Sequence, residues 1–500
     1  MTRFDPVASY AASQPDGLAV VDLETGRRWN YAQFHEAVDR LSAWLVESFG
    51  PASGARVATL ARNCADMLIL QLAAVRAGAI FTPFNWRLAP AEIEALAADA
   101  QPAVLFSGAG FTPPETAGQI LPIEHSSALG RAGTRPPAMA RRAFDAVSTL
   151  LYTSGTSGRP KGVMLSEHNA FWSCTNFILA NDVGMHSVFL CDMPLFHTAG
   201  LYTAARVPLQ AGGCVLISPG FEDSKTLQRL SDPAFGITHY FSVPQMAARI
   251  WNHPDFRPEP LQRLVGWAIG GAPNPRALTQ RFVDAGIRIT EGFGMSESGS
   301  NFGMPTHDLD ILRRKAGSCG LPFVSIEARL VDARGCDVPS GQVGELWLRG
   351  PSITSGYWNQ PEASAKAFRE GWFITGDAAM VDEDGFYYII DRRKDMYISG
   401  GENVYPAEVE AVIAELPQVA ECAVVGVPDE RWGEVGRAYV IAVPGQTLIV
   451  ESLIAHCRQR LAKFKIPGSI VITDQVQRTA SGKVQKHLLK QRALQELGKI

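Results

Sequence analysis

Tyr152-Thr153-Ser154-Gly155-Thr156-Ser157-Gly158-Arg159-Pro160-Lys161-Gly162 is the stretch on which the reading of this chain turns. The mostly apolar run before it, Val147–Leu151, reads as a buried strand. Glycines let successive backbone N–H groups point into one concavity. The hydroxyls of Thr153, Ser154, Thr156 and Ser157 and the cations Arg159 and Lys161 add donors for phosphate oxygens. Gly/Ser/Thr clusters are in general surface loops. The strand ahead of this one and the Pro-Lys-Gly that closes it favour a loop that grips a polyphosphate. It is not the common P-loop: Pro160 stands where Gly-x-x-x-x-Gly-Lys-Ser/Thr needs its second glycine, and Gly162 where it needs the hydroxyl.

Strands alternate with helices on both sides of this loop. Phe34, Val38, Leu41 and Leu45 have the spacing of an amphipathic helix, closed by Gly50. Strand, helix, strand, helix, strand follow at Arg56–Leu60, Asp66–Ala77, Ala79–Phe84, Pro90–Asp99 and Ala103–Phe106. Residues 109–143, rich in Pro, Gly and Ala, read as a surface excursion. After the loop come strands at Val188–Met193, Gly213–Ser218, Ile237–Val243, Leu264–Ile269 and Ile287–Glu291. The pattern predicts an α/β domain with largely parallel sheets. Three of these strands run into Pro194-Leu195-Phe196-His197-Thr198-Ala199-Gly200, Gly270-Gly271-Ala272-Pro273 and Gly292-Phe293-Gly294-Met295-Ser296-Glu297. Ligands gather at the carboxyl ends of strands in open α/β sheets, so the motifs are expected to share one crevice. From about residue 320, short β-like runs (Ile326–Val331, Gly344–Leu348, Phe386–Ile390) alternate with turns and predict a β-rich subdomain. The charge run Asp391–Asp395 reads as a linker before a small α+β unit, which divides the chain into domains 1–393 and 394–500.

Composition narrows the function classes. At 500 residues, 46% hydrophobic and 19% charged, the chain is ordinary globular material. A net charge of −4 gives no global basic field, so no nucleic-acid partner is expected. Eight scattered cysteines, without Cys-x-x-Cys pairs, read as packing thiols of a reducing compartment, and no zinc site is expected. Met1–Gln14 lacks the regions of a signal peptide, and Gln71 and Arg76 interrupt the most apolar segment, so a cytoplasmic protein with no membrane span is expected. A homodimer is the symmetry-based default.

Together with Thr375-Gly376-Asp377, Asp391-Arg392-Arg393-Lys394-Asp395, Ser399-Gly400-Gly401-Glu402-Asn403 and Thr479-Ala480-Ser481-Gly482-Lys483, these motifs resemble, in order and over essentially the whole chain, the adenylate-forming superfamily. That group includes acyl-CoA synthetases, aryl-CoA ligases, firefly luciferases and the adenylation domains of peptide synthetases. The resemblance implies a two-step reaction. A carboxylate attacks the α-phosphate of ATP, giving an acyl-adenylate and pyrophosphate; a thiol then takes the acyl group and AMP leaves. Joining two anions needs positive charge and rigid positioning.

Position by position, the resemblance implies that Thr153, Ser154, Gly155, Thr156, Ser157, Gly158 and Lys161 hold the β- and γ-phosphates, that Ser296 bonds the α-phosphate and that Glu297 ligates Mg²⁺. Gly271 and Ala272 would line one face of the adenine and Phe293, where the family usually has Tyr, the other; Gly294 follows in the same motif. Asp377 would hold the ribose hydroxyls and Arg392 would touch ribose or phosphate, Lys394 would be the hinge between domains, and Lys483 the catalytic cation on the α-phosphate and carboxylate. Gln477 and Lys486 depart from the family's usual Pro and Arg around that lysine. Taken alone, Glu297 is an exposed loop acid, Asp377 a turn aspartate and Lys483 a solvated charge; the motifs around them reverse that reading.

His197 separates branches of the family. Amino-acid-activating relatives place an Asp there to pair with the substrate ammonium, which an imidazole does not do. In acid–CoA ligases this position gates the acyl site; a satisfied core histidine is the plainer alternative. The resemblance further implies that Gly400 and Gly401 line a pantetheine tunnel for coenzyme A, and that His197, Phe241, Gly270, Gly292, Gly294, Gly299 and Ser300 form the acyl pocket, with Trp172, Tyr202 and Tyr240 adding aromatic surface. Glycines on several walls are expected to leave room for a ring or a chain. Arg458, Arg460, Lys463 and Lys465 read as a solvated face before they read as a CoA phosphate site. Length and motif style look most like bacterial medium- or long-chain fatty acyl-CoA synthetases. Hydroxycinnamate-type aryl-CoA ligases follow, and an enzyme that loads a carrier protein is the reading from another class.

Overall fold

The computed structural model describes residues 4–130, 134, 143–153, 160–272, 274–305, 308–392, 395–399, 402–478 and 484–498. Two sheets share one core in the large domain. The first has nine strands, in the order Leu321–Pro322, Gly299–Gly303, Ile289–Met295, Gly266–Ile269, His239–Ser242, Val188–Cys191, Cys214–Ile217, Leu18–Asp22 and Arg28–Asn30. The six from Ile289–Met295 to Leu18–Asp22 are parallel, and the edges are antiparallel. The second has six strands, Gln119–Pro122, Val104–Ser107, Arg56–Leu60, Ile80–Pro83, Val147–Thr153 and Lys161–Ser166, parallel except for the last pair. Helix Ala65–Ala77 is buried at every position but Val75 and packs in the core to which both sheets contribute. Its apolar residues lie on every face, its buried charges Asp66 and Arg76 are ion-paired to Arg27 and to Asp5 and Asp39, and it ends at left-handed Gly78 (φ +70°).

A five-stranded sheet follows, built from Glu327–Val331, Val343–Arg349, Phe368–Arg369, Trp372–Val381 and Tyr387–Arg392. The C-terminal unit has its own five-stranded sheet, in which Val419–Asp429 and Gly433–Ala442 form a long antiparallel ribbon, flanked by helices Pro406–Ile413, Val450–Arg460 and Lys486–Glu496. It has its own apolar core around Tyr397, Val409, Ile413, Val424 and Leu453. No helix among the described residues is long and apolar enough to cross a membrane.

Four segments depart from the sequence reading. Lys161–Ser166 is a strand paired antiparallel to Val147–Thr153, so two paired strands flank the glycine-rich stretch. The strand Ile287–Glu291 extends through the supposed loop to Met295 and turns back as Gly299–Gly303, with Gly294 opposite Ser300 and Met295 opposite Gly299. Residues 109–143 contain a strand, Gln119–Pro122. Asp391 and Arg392 are not linker: Arg392 sits opposite Asp377 and Asp391 opposite Ala378. In each case a neighbouring strand supplies a ladder that local composition, poor in β-formers, does not announce.

Candidate active site

Two hairpins and one bulged strand position the nucleotide motifs. Thr153 and Lys161 face each other as the last pair of the first hairpin, with the Thr153 hydroxyl 3.5 Å from the Lys161 carbonyl. Ser154, Gly155, Thr156, Ser157 and Gly158 lie outside the described residues. The Lys161 ammonium sits 4.7 Å from the centre of the Tyr357 ring.

Ser296, Glu297 and Ser298 make the tight turn of the second hairpin. Ser296 is half-buried and Glu297 is 9% exposed. Glu297 Oε1 accepts a 3.1 Å bond from the Tyr357 hydroxyl, and its carbonyl accepts a 2.7 Å bond from the Thr354 amide. Among the described residues no three His, Cys, Asp or Glu side chains converge on one point. The hard, hydrogen-bonded carboxylate of Glu297 would suit a Mg²⁺ that draws further oxygens from phosphate and water.

Asp377 is 5% exposed on strand Trp372–Val381. Its neighbours depart from regular pairing: Ile374 pairs with Trp347 and Ala378 with Glu345, so Thr375-Gly376-Asp377 bulge against a single residue. Gly376 has φ +74°, and the Thr375 hydroxyl accepts the Asp377 amide at 3.0 Å while donating to the Leu346 carbonyl at 2.7 Å. Bulges re-aim side chains beside active sites, and this one sets Asp377 directly across the ladder from Arg392. At the end of strand Gly266–Ile269, Gly271 (φ +82°) is exposed and Ala272 half-buried, while Phe293 is half-buried with its ring 5.9 Å from that of Phe302.

The glycines expected to leave room for the acid are closely packed. A Cβ on Gly270 would lie 2.9 Å from the Gly292 carbonyl oxygen, one on Gly292 3.0 Å from that of Phe302, and one on Gly294 2.3 Å from that of Gly299. One on Gly299 (φ +67°) would lie 2.3 Å from Ser173 Oγ. These glycines let strands and helix Glu167–Ala180 close on each other; they do not leave empty volume for substrate. Tyr240 is also excluded from the wall. Its ring packs edge-on to Trp267 and its hydroxyl donates to Asp192, and the residue is 1% exposed. Tyr202 is 1% exposed, so it too adds no open aromatic surface, whereas Trp172 is half-buried.

His197 is half-buried, edge-on to Phe196 at 4.6 Å, and leads into a π-helix, Ala199–Arg206. Such wide turns are rare and concentrate at functional sites. Gly200 makes this one possible, since a Cβ there would meet the Pro194 carbonyl oxygen at 2.1 Å. The Thr203 hydroxyl from this helix lies 3.4 Å from that of Ser300 on the second hairpin, and Ser173 Oγ accepts the Ser300 amide at 3.1 Å.

In the C-terminal unit, Ser399 pairs with Glu402 across residues 400 and 401. Gly400, Gly401, Lys394 and Lys483, and the side chain of Arg392, lie outside the described residues. Arg460 and Lys465 are ion-paired to Glu415 and Glu408, both at 2.6 Å.

Tyr357, Thr203, Ser173 and Glu291 escaped the sequence reading. For Glu291 the signal is a carboxylate inside an apolar strand. The residue is half-buried, but its carboxylate turns inward to accept the Thr279 hydroxyl at 2.7 Å and the Gly317 amide at 3.0 Å, and burial pushes its pKa up to about 7. The folded chain then keeps a proton that the unfolded chain releases near pH 4.5. The stabilisation this group gives is complete below that value and is lost as pH rises towards 7. Glu291→Gln, neutral and still an acceptor for both donors, should flatten the fall in melting temperature between pH 5 and 7.5 and raise it at pH 7.5. Melting curves across that range check this.

Glu297 on a turn braced against the Thr153–Lys161 hairpin through Tyr357, and Asp377 on a bulge opposite Arg392, are the arrangement that an adenylate-forming enzyme would use. The chain belongs to the AMP-binding enzyme family, matching it over residues 7–358 and the AMP-binding enzyme C-terminal domain over residues 408–483. It is similar to a feruloyl-CoA synthase of Amycolatopsis sp, at 38% identity over 93% of this chain and 94% of that one. A long-chain-fatty-acid–CoA ligase of Mycobacterium tuberculosis is 32% identical over 96% of each chain. Among solved structures, the o-succinylbenzoate coenzyme A synthetase of Bacillus subtilis in complex with ATP and magnesium superposes with a TM-score of 0.87, at 28% identity, over 97% of this chain and 99% of that one. The protein is an acid–thiol ligase that uses ATP, Mg²⁺ and coenzyme A.

Proposed function

We propose that the acid is an aromatic one of the hydroxycinnamate type. The observation that carries this reading is the hydroxyl pair Thr203–Ser300, 3.4 Å apart on a wall whose glycines are already filled by the protein's own atoms. A compact wall suits a ring better than a long chain. The pair, already bonded to each other, can also turn a donor and an acceptor towards a ring bearing a phenol, which an alkyl chain has no group to use. Similarity to a feruloyl-CoA synthase supports the same choice; similarity to a long-chain-fatty-acid ligase supports the competing one.

In this reading His197 and Phe241 border the acyl group, Ser296 holds the α-phosphate, and Gly271, Ala272 and Phe293 receive the adenine. Asp377 accepts the ribose hydroxyls, with Arg392 beside it. The hairpin from Thr153 to Lys161 takes the leaving pyrophosphate. Bound Mg²⁺, held by Glu297, supplies charge neutralisation on the phosphates. Lys483 steadies the charge that develops at phosphorus, Lys394 turns the C-terminal domain, and Gly400 and Gly401 pass the pantetheine thiol. The domain boundary at 394 is part of the proposal.

A panel of p-coumarate, ferulate, cinnamate, octanoate and palmitate, scored by kcat/KM for acyl-CoA, tests the substrate. Ferulate or p-coumarate should lead both fatty acids by tenfold or more; the reverse order would refute the aromatic reading. Thr203→Val combined with Ser300→Ala should cut the preference for p-coumarate over cinnamate about tenfold, the value of a hydrogen bond lost in a buried pocket.

A further inference from the structure

We propose that Tyr357 is a positioning residue that ties the phosphate hairpin to the metal carboxylate; this rests on the reading of Glu297 as the Mg²⁺ ligand. Its hydroxyl donates to Glu297 Oε1 at 3.1 Å while the face of its ring receives the Lys161 ammonium at 4.7 Å. One side chain thus contacts both the acid that would take the cation and the base that would take the pyrophosphate.

The segment around Tyr357 is built to hold that position. The Thr354 amide donates to the Glu297 carbonyl at 2.7 Å, and its hydroxyl donates to the Met164 carbonyl at 2.6 Å. The Met164 amide donates to the Gly356 carbonyl at 3.0 Å, and the Trp358 amide to the Gly162 carbonyl at 2.7 Å. The Gln360 side chain donates to the Pro160 carbonyl at 3.1 Å. Val163 and Tyr357 form an isolated antiparallel bridge. Residues 354–360 are therefore a brace laid along the outer edge of the phosphate hairpin, and they reach the Glu297 turn at one end. Gly356 (φ +138°) allows the chain to pass, since a Cβ there would lie 2.6 Å from Ser364 Oγ. Tyr357 itself is 8% exposed, so its hydroxyl bond to the carboxylate is shielded from water and strengthened accordingly.

The arrangement has a specific consequence. With one oxygen of Glu297 held by a phenol, the carboxylate keeps one rotamer and presents its other oxygen in a fixed direction. A cation gains from that preorganisation; a metal-free nucleotide does not. The hydroxyl should therefore matter for Mg·ATP and hardly at all for ATP alone.

Tyr357→Phe removes the hydroxyl and keeps the ring. This is cleaner than truncation to Ala, which would open the carboxylate to the adjoining cleft of about 630 Å³ lined by Lys161, Gln360 and Lys366. Calorimetry on the full chain would compare affinity for ATP with Mg²⁺ against ATP in EDTA, for wild type, Tyr357→Phe and Glu297→Gln. The expected result for Tyr357→Phe is about a tenfold loss for Mg·ATP, the range for a hydrogen bond to a charged group, and less than a twofold change in EDTA. Unchanged Mg·ATP affinity, or equal loss with and without metal, overturns the proposal. If Glu297→Gln also leaves Mg·ATP binding unchanged, the metal reading of Glu297 fails first; a selective loss in Glu297→Gln alone sinks only the role of Tyr357. Should Tyr357→Phe not fold, Thr354→Val, which releases the brace from Met164, carries the same test: selective loss for Mg·ATP supports the proposal and an unselective loss or none refutes it.

Discussion

Lys483→Ala is expected to lower the rate of acyl-adenylate formation by about a hundred- to a thousandfold, the value of one preorganised charge at a developing anion. The same variant should convert supplied acyl-adenylate and coenzyme A to thioester at close to the wild-type rate. The difference follows from the chemistry of the two steps. In the first, two anions meet and a cation at phosphorus lowers the barrier directly. In the second, a thiol attacks a carbonyl that is already activated, and AMP departs as a good leaving group. Pyrophosphate release measures the first step and acyl-CoA formation from the adenylate the second. Equal loss in both would remove Lys483 from the role assigned to it.

Gly299→Ala should be the most damaging small substitution among the glycines proposed for the acyl pocket. Two independent penalties act there. The backbone is left-handed at φ +67°, which an L side chain rarely adopts, and the new Cβ would sit 2.3 Å from Ser173 Oγ. Overpacking and backbone strain together are expected to cost about 2–4 kcal/mol of folding free energy. Because Gly299 pairs with Met295 at the base of the turn that carries Glu297, the variant should also raise the KM for both the acid and Mg·ATP. Ser173→Gly in the same chain removes the clash but not the strain, so a double-mutant cycle by denaturant unfolding should show a coupling of about 1 kcal/mol or more. No coupling would mean that the hairpin moves away from its helix at little cost.

Much of the large domain was legible because its strands are apolar and its helices periodic. Ile80–Pro83, Cys214–Ile217 and Gly266–Ile269 are short buried runs bounded by turn residues, and all are strands. The motif order pointed to the segments proposed for the nucleotide, and the ladder sets Asp377 opposite Arg392. What could not be read depends on contacts between distant segments. Gly292-Phe293-Gly294 looks like a loop because glycine is a poor strand former, yet Phe302 and Ser300 supply a partner strand. Glycine identity likewise says that a Cβ is missing without saying whether substrate or protein takes its place. Only the carbonyls of Gly292, Phe302 and Gly299 and the hydroxyl of Ser173 decide that. The π-helix leaves no mark on hydrophobic period, and Tyr357 lies in a stretch, Thr354–Gln360, with no period at all.

The cysteines have a bearing on what this enzyme makes. An acyl-adenylate and a thioester are acylating agents, and any thiolate of the enzyme within reach would be a competing acceptor. Burial holds Cys64, Cys174 and Cys214 at a pKa of about 12 and Cys457 at about 11, and it raises Cys191, Cys319 and Cys422 as well. At neutral pH these seven are thiols, not thiolates; five are buried, and Cys64 and Cys422 are half-buried. Cys336 is the one exposed thiol. The core that stabilises the protein thereby also protects it from self-acylation, leaving coenzyme A as the nucleophile that meets the activated acid.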